Sequence, residues 1–278
     1  MGQSCSASSA PYVPLLGPLI LRTIAESIRQ TRNGIVSDRR RLMIRRGTSR
    51  SRTRNRKART MKIGIIGAGN IGGNLTRRLT ALGHDVAVAN SRGPETLKAL
   101  AEETGATPVT STEAARDAEI VVVTVPLGSV PGLPSGILDG AAEGVVVIDT
   151  GNYYPQRDGR IPAIEDGLTE SRWTEQHIGH PVIKAFNGTY AQDILERPLP
   201  HGAPGRQALP VAGDDLAAKR TVRDLIDELG FDTVDAGGLD DSWRQQPGTP
   251  VYGNRGDAEA ITVALAEASP ERGAEWRA

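Results

Sequence analysis

Three glycines in the spacing G-x-G-x-x-G, within Gly67-Ala68-Gly69-Asn70-Ile71-Gly72, stand directly behind the run Lys62-Ile63-Gly64-Ile65-Ile66 and directly ahead of a helix-forming stretch. That context makes a common motif specific, because holding the pyrophosphate of a dinucleotide needs a strand, a glycine turn and a helix N-terminus in this order. Gly67 permits the tight turn. Gly69 lets the backbone approach the phosphates, and Gly72 lets the helix pack closely on the strand, so that negative charge meets the helix N-terminus. The whole hexapeptide, with Ala68, Asn70 and Ile71, is expected at a cofactor's diphosphate. A glycine turn without a ligand is the alternative.

The end of the second strand decides which dinucleotide is preferred. An NAD site usually offers a carboxylate to the ribose hydroxyls there. Here Asn90 holds that place, 18 residues after Gly72, and Ser91-Arg92 follow. With no carboxylate to repel a 2′-phosphate, Arg92 could pair with one while Ser91 donates a hydrogen bond, which favours NADP(H). Arg92 as a solvated loop residue is the competing reading. Two later turns, Thr124-Val125-Pro126 and Thr150-Gly151-Asn152, end long strands and are expected to approach the ribose and nicotinamide, although Pro126 would also serve as a strand terminator.

The elements that must position these residues alternate in type. Strands read as Lys62–Ile66, Asp85–Ala89, Glu119–Val125 and Val145–Asp149, with helices at Asn70–Leu82, Pro94–Thr104 and Thr112–Asp117 between them. The near-continuous Val/Ile content of the last two strands suggests burial on both faces, as parallel sheets require. Further strands are expected at Val182–Phe186, Ala208–Ala212 and Asp232–Asp235. A helix is expected over Asp214–Leu229, with Leu216, Val222, Leu225, Ile226 and Leu229 on one stripe, and a last one over Asp257–Glu267. The fold class is therefore α/β: a Rossmann-type, doubly wound parallel sheet with a small C-terminal portion. The expected division is a basic leader over 1–60, an NADP-binding domain over 61–188, and a smaller α/β portion over 189–278 that completes the acceptor site.

Composition narrows the function classes. The chain of 278 residues is 38% hydrophobic and 24% charged, ordinary for a globular protein of one or two domains. Its zero net charge hides a split: residues 1–60 hold 14 Lys and Arg against two acidic residues, leaving a net −12 for the rest. The basic stretch includes Ser49-Arg50-Ser51-Arg52-Thr53-Arg54-Asn55-Arg56-Lys57, too self-repelling to build a core. Transit peptide and nucleic-acid tail are two readings of it. A disordered or over-extended leader is the preferred one, since Met61 directly precedes the first strand and Tyr12 alone is aromatic there. One cysteine, Cys5, leaves no disulfide framework, which suits the cytoplasm. The apolar run Pro11–Leu21 is too short and too rich in proline to span a bilayer. No nucleic-acid or membrane partner is expected. His177 and His180 lack a third ligand at metal spacing, so no metal is expected; no serine-hydrolase elbow or Walker loop is present.

The strand–turn–helix motif, Asn90-Ser91-Arg92, Thr124-Val125-Pro126, Val182-Ile183-Lys184-Ala185-Phe186-Asn187, Gly213-Asp214-Asp215 and Asp235-Ala236-Gly237-Gly238-Leu239 together resemble the NADPH-dependent coenzyme F420 reductase family. The chain is also similar to the reductase domain of the STEAP metalloreductases. The likeness covers nearly all of residues 61–250; Lys-Ala-Phe-Asn and Asp-Ala-Gly-Gly-Leu are its more particular motifs. It implies NADP(H) with Ser91 and Arg92 at the 2′-phosphate, Ala185 near the cofactor, and a flat deazaflavin or flavin stacked by the nicotinamide. Where the family places a second basic residue, four positions beyond the Ser-Arg pair, this chain has Thr96, with Lys98 two residues later. Where the family has a histidine near the nicotinamide, it has Asn187.

Hydride transfer needs alignment more than an acid–base pair, which agrees with the absence of a His, Lys or Tyr constellation. Asn187 is the one side chain expected near the reacting atoms, to orient nicotinamide or acceptor; a turn role is its alternative. The leading expectation is an NADP(H)-dependent oxidoreductase serving a small-molecule electron acceptor such as F420 or a flavin, with a homodimer as a fitting assembly. A dehydrogenase of small hydroxy acids or imines and a non-catalytic NADP(H) sensor are the other two readings.

Overall fold

The computed structural model describes residues 59–278. The leader expected over residues 1–60 therefore lies almost wholly outside the described residues. From Lys62 onward the chain alternates parallel strands with helices. Strands β1 (Lys62–Ile66), β2 (Asp85–Ala89), β3 (Thr107–Pro108), β4 (Ile120–Val123), β5 (Val146–Asp149) and β6 (Val182–Lys184) form one sheet in the order β3-β2-β1-β4-β5-β6. Every pairing in it is parallel. The order reverses between β1 and β4, so their carboxyl ends diverge into a crevice, the place where such sheets bind ligands.

The β1 side chains explain why the strands read as unbroken apolar runs. Ile63 and Ile65 enter one hydrophobic cluster with Leu75 and Leu79 of helix α1 (Asn70–Ala81), while Ile66 enters the cluster on the opposite face with Val121 and Val123. Both faces are covered, which only apolar residues on both sides tolerate. Gly64 is small for a local reason: a Cβ there would lie 2.1 Å from the Ala114 carbonyl oxygen of helix α3 (Ser111–Ala114).

Several elements differ from the sequence expectation in extent. The Pro94–Thr104 helix is a 3-10 turn over Pro94–Leu97 followed by α2 (Lys98–Thr104), and it leads into the unanticipated two-residue strand β3. Helix α4 (Glu170–Ile178) was also not anticipated, because its polar sequence carries only Trp173 and Ile178 as large apolar residues. Helix α5 (Leu216–Leu229) begins one residue after Asp215, whose carboxylate accepts from the amides of Ala217 and Ala218. Leu216, expected on the buried stripe, is 72% exposed, because as the first residue it sits on the turn that faces away from the sheet. Lys219 is buried in that face, its ammonium 2.9 Å from Asp235.

The C-terminal portion adds β7 (Ala208–Val211) and β8 (Asp232–Asp235), a parallel pair covered by α5 and by helix α6 (Ala258–Glu267). Leu209, Val211, Val222 and Leu225 share a hydrophobic cluster with Ile63 and Ile65 of β1. A single antiparallel bridge between Lys184 and Ala212 links the two sheets, with N–H···O distances of 2.8 and 3.1 Å. No helix among the described residues is long and apolar enough to cross a membrane.

Candidate cofactor cleft and the adjoining strand ends

A cleft of about 860 Å³ opens at the carboxyl ends of β1, β2 and β4. Gly67, Ala68, Gly69, Asn90, Ser91, Arg92, Thr124, Val125 and Pro126 all line it, so the first two predicted turns and the Thr-Val-Pro turn converge. Asn70 lies in a second groove of about 710 Å³ that shares Ala68, Gly69 and Arg92 with the cleft. Ile71 and Gly72 line neither; Ile71 packs against the core.

The three motif glycines have different physical reasons. Gly67 has φ +112°, and a Cβ there would lie 2.4 Å from the Thr124 carbonyl oxygen, so turn and β4 touch directly. At Gly72 a Cβ would meet the Gly67 carbonyl oxygen at 1.9 Å. Both are packing requirements of the turn itself. Gly69 is exposed, has φ −76°, and a Cβ there would meet nothing within 4 Å. Its smallness answers to no neighbour in the protein, which is what an approaching ligand would require. The open space over Gly69 at the cleft is compatible with a diphosphate there.

At the end of β2 the side chains divide their tasks. The Asn90 amide donates to the Thr96 hydroxyl at 2.9 Å and its carbonyl accepts from the Arg92 amide at 2.9 Å, so Asn90 shapes the 90–96 loop. Thr96 completes that loop by donating to the Gly93 carbonyl at 2.8 Å. The Arg92 guanidinium is exposed and makes no ion pair or hydrogen bond among the described residues; only its backbone amide is bonded, to Asn90. Opposite them stand Thr110, Ser111 and Thr112, which sequence reasoning passed over. The signal was there: Thr110 and Glu113 form a reciprocal capping box, Thr110 N to Glu113 Oε2 at 3.0 Å, opening α3 at the cleft edge.

The predicted nicotinamide-end residues form a different arrangement, bonded mainly to one another. The Thr150 hydroxyl donates to the Val123 carbonyl at 3.2 Å. Asn152 donates to the Asn187 carbonyl at 2.8 Å, and Asn187 donates back to Asn152 Oδ1 at 3.1 Å and to the Gln245 carbonyl at 2.6 Å. Ala185 is fully buried behind them. None of Thr150, Gly151, Asn152, Ala185 and Asn187 lines the 860 Å³ cleft. Asn187 nonetheless keeps one buried carbonyl, Oδ1, without a partner.

Beneath these loops lies a charge network that the sequence did not announce. Lys184, the last residue of β6, is buried; its ammonium donates to the Gly151 carbonyl at 2.8 Å and to Glu170 at 3.2 Å. Asp149 ends β5 and accepts from the Gly151 amide at 2.9 Å and the Ser171 hydroxyl at 2.6 Å. Arg272 reaches Glu170 and Gln246, each at 2.8 Å. Two cations and two anions thus balance in a largely buried cluster, which is tolerable only because each is hydrogen-bonded. A lysine in a strand ordinarily reads as an edge residue, so this role had no signature.

Asp158 braces the cleft wall. It accepts from the amides of Gly128 at 3.2 Å and Tyr154 at 2.9 Å, and from Arg157. Burial pushes its carboxyl up, but Arg157 and the two amides outweigh this and hold it below the usual carboxylate range. Elsewhere His201, Asp227 and Asp232 converge as metal-type ligands. Arg206 Nη1 stands 2.7 Å from Asp227 and 2.5 Å from Asp232, so a guanidinium already occupies the cation position.

Comparison with known proteins bears on this geometry. A family model described as NADP oxidoreductase, coenzyme F420-dependent, matches residues 62–153. The metalloreductase STEAP3 of Rattus norvegicus is 27% identical over 183 residues, covering 64% of this chain and 34% of that protein. The Escherichia coli K12 protein YjhV is 50% identical over 54 residues, 19% of this chain and 39% of its own. The matches therefore span less than two-fifths of either curated relative. Among solved structures, a hypothetical protein of Sinorhizobium meliloti, SMa0349, is 30% identical, with 70% of this chain and 94% of that chain covered and a TM-score of 0.60. An Arthrobacter sp. FB24 structure described as an F420-dependent NADP-reductase is 24% identical, with 64% and 86% covered and a TM-score of 0.53, a likeness of fold.

Proposed function

We propose, from the match of residues 62–153 to the family model described as NADP oxidoreductase, coenzyme F420-dependent, that the chain binds NADP(H) in the cleft and transfers a hydride between NADPH and a flat, flavin-like acceptor such as coenzyme F420. The observation that carries the choice of cofactor is Arg92, an exposed guanidinium with no ion-pair partner among the described residues, at a strand end that offers Asn90 in place of a carboxylate. Ser91 lines the cleft beside it.

In this reading Gly67–Gly69 and the first amides of α1 hold the diphosphate, and Arg92 with Ser91 holds the 2′-phosphate. When bound, the nicotinamide supplies the hydride chemistry. The protein's part is orientation and exclusion of water. The Thr124–Pro126 turn forms the wall beneath the ribose, and the Lys184–Gly151 hydrogen bond with the Asn152–Asn187 pair fixes the loops beyond it. Asn187 Oδ1 lies buried and unpartnered among these loops.

A second reading, an NADP(H)-sensing module, is favoured by one observation: the strand-end side chains expected at the nicotinamide bond chiefly to each other. The two separate in one assay. The full chain is titrated with NADPH and NADH, and NADPH oxidation is then followed with F420, FMN, FAD and ferric chelates. Turnover with F420 or a flavin supports the oxidoreductase. Tight NADPH binding without turnover supports the sensor, and equal affinity for both nucleotides overturns the assignment of NADP.

A further inference from the structure

Two phenols meet where the loops beyond β5 and β6 converge. Tyr154 and Tyr252 are hydrogen-bonded hydroxyl to hydroxyl across 98 residues of sequence. Tyr154 stands five residues beyond Asp149, the end of β5. The backbone around Tyr252 packs on Gly188, where the Gly253 amide donates to the Gly188 carbonyl at 3.0 Å. Asp158 ties the Tyr154 amide to that of Gly128, which lines the cleft, so the pair is braced against the cofactor wall.

A count of protons makes the pair unusual. Two phenols carry two O–H donors, and their mutual contact uses one. Neither hydroxyl makes another hydrogen bond among the described residues, so one O–H is uncommitted. Both side chains are only half-buried. Burial pushes the Tyr154 phenol up, and the neighbouring Tyr252 hydroxyl pushes it further, so Tyr154 keeps its proton at neutral pH. The surroundings suit a planar ligand. Trp276 lies 5.8 Å from the Tyr154 ring, and the half-exposed Tyr190 reaches the Gly253 turn with Arg255 4.5 Å over its ring. Only 4% of the chain is aromatic, so this grouping concentrates a scarce residue class.

We propose that the Tyr154–Tyr252 pair is the acceptor-facing donor of the site: its uncommitted O–H donates to the ring carbonyl or ring nitrogen on which a flat conjugated acceptor gathers negative charge. This rests on the hydride-transfer reading above. A donor preorganised for developing charge strengthens its hydrogen bond as the charge appears. It also gives the acceptor an orientation, which a purely apolar stacking surface would not.

The test uses the full chain saturated with NADP+, titrated with FMN and with F420, in wild type, Tyr252→Phe and the Tyr154→Phe/Tyr252→Phe double variant. The double variant is expected to bind at least one of these acceptors about tenfold more weakly, with NADP+ affinity changed less than about twofold. A phenol absorbance titration should show the Tyr154 signal moving down toward the ordinary tyrosine range in Tyr252→Phe, since that variant removes the neighbouring hydroxyl. If the double variant does not fold, Tyr252→Phe is read against a threefold loss. Unchanged acceptor affinity, or no binding of either acceptor to wild type, overturns the proposal. Failure of the hydride-transfer reading looks different: acceptor binding that depends on the phenols, with no NADPH oxidation.

Discussion

Replacing Gly69 and Gly72 in turn separates ligand approach from packing within one hexapeptide. At Gly69 the backbone has φ −76° and an added Cβ meets nothing within 4 Å, so valine there introduces neither backbone strain nor a clash. What it loses is glycine's preference at a helix N-cap, about 1 kcal/mol. In a unit of the 220 described residues that shifts Tm by roughly 2–4 °C. At Gly72 even alanine places a methyl 1.9 Å from the Gly67 carbonyl oxygen and 2.7 Å from Thr124 Cγ2. The first neighbour is backbone and has no rotamer to change, so overpacking of about 1–3 kcal/mol or more is expected, roughly 2–12 °C. Thermal melts and calorimetric titration with NADPH read both quantities. Gly69→Val should melt within about 4 °C of wild type and lose at least about a hundredfold in NADPH affinity, near 2.7 kcal/mol, because its methyls fill the phosphate path. Gly72→Ala should lose stability and binding together. Gly69→Val with wild-type NADPH affinity would refute the assignment of the turn to the diphosphate.

Arg92→Ala should weaken NADPH about 5- to 30-fold, a charge-assisted contact of about 1–2 kcal/mol after allowance for exposure, and leave NADH within twofold; equal losses for both nucleotides would reject the 2′-phosphate pairing. Lys184→Met removes the cation between Asp149 and Glu170, leaving Glu170 to Arg272 alone and Asp149 with no cation, at a cost of about 3–5 kcal/mol; a variant melting like wild type would contradict the network. For Asp158 the folded pKa lies below the unfolded value of about 3.9, so its contribution is full above that value and is lost as pH falls through the folded pKa. The stability gap between wild type and Asp158→Asn should accordingly be constant from neutral pH to about pH 5 and close in stronger acid, as urea midpoints across pH would show; a gap that persists there would remove the carboxylate from that role.

What the sequence disclosed follows from which forces are local. The glycine turn, the Val-rich strands and the Asp215-to-Gly230 helix each declare themselves within a few residues, since turn geometry, burial on both faces and capping act at short range. Strand β3 did not, because its two residues include Pro108 and are held by pairing with Ala87 and Val88 alone. Asn90 was read as facing a ribose, yet its amide is committed to Thr96, a loop contact six residues away that no periodicity reveals. The largest gap concerns long-range polarity. Lys184, Glu170 and Arg272 look like ordinary surface charges in sequence, and Tyr154 and Tyr252 are 98 residues apart; only the crossing of the loops beyond β5 and β6 makes them one structure.

The bridge between Lys184 and Ala212 bears on how this sheet behaves towards other chains. A parallel sheet ends in rows of unpaired amides and carbonyls that invite further strands. At the β6 edge the amide and carbonyl of Lys184 are both taken by Ala212, and the chain then turns away into a sheet of its own. At the opposite edge β3 is two residues long and ends in Pro108, which has no N–H to offer. Neither margin of the six-stranded sheet can be extended by a neighbour's strand without breaking what is already bonded or finding too little to bond. The six-stranded sheet whose strand ends frame the cleft thus offers little at either margin for strand addition.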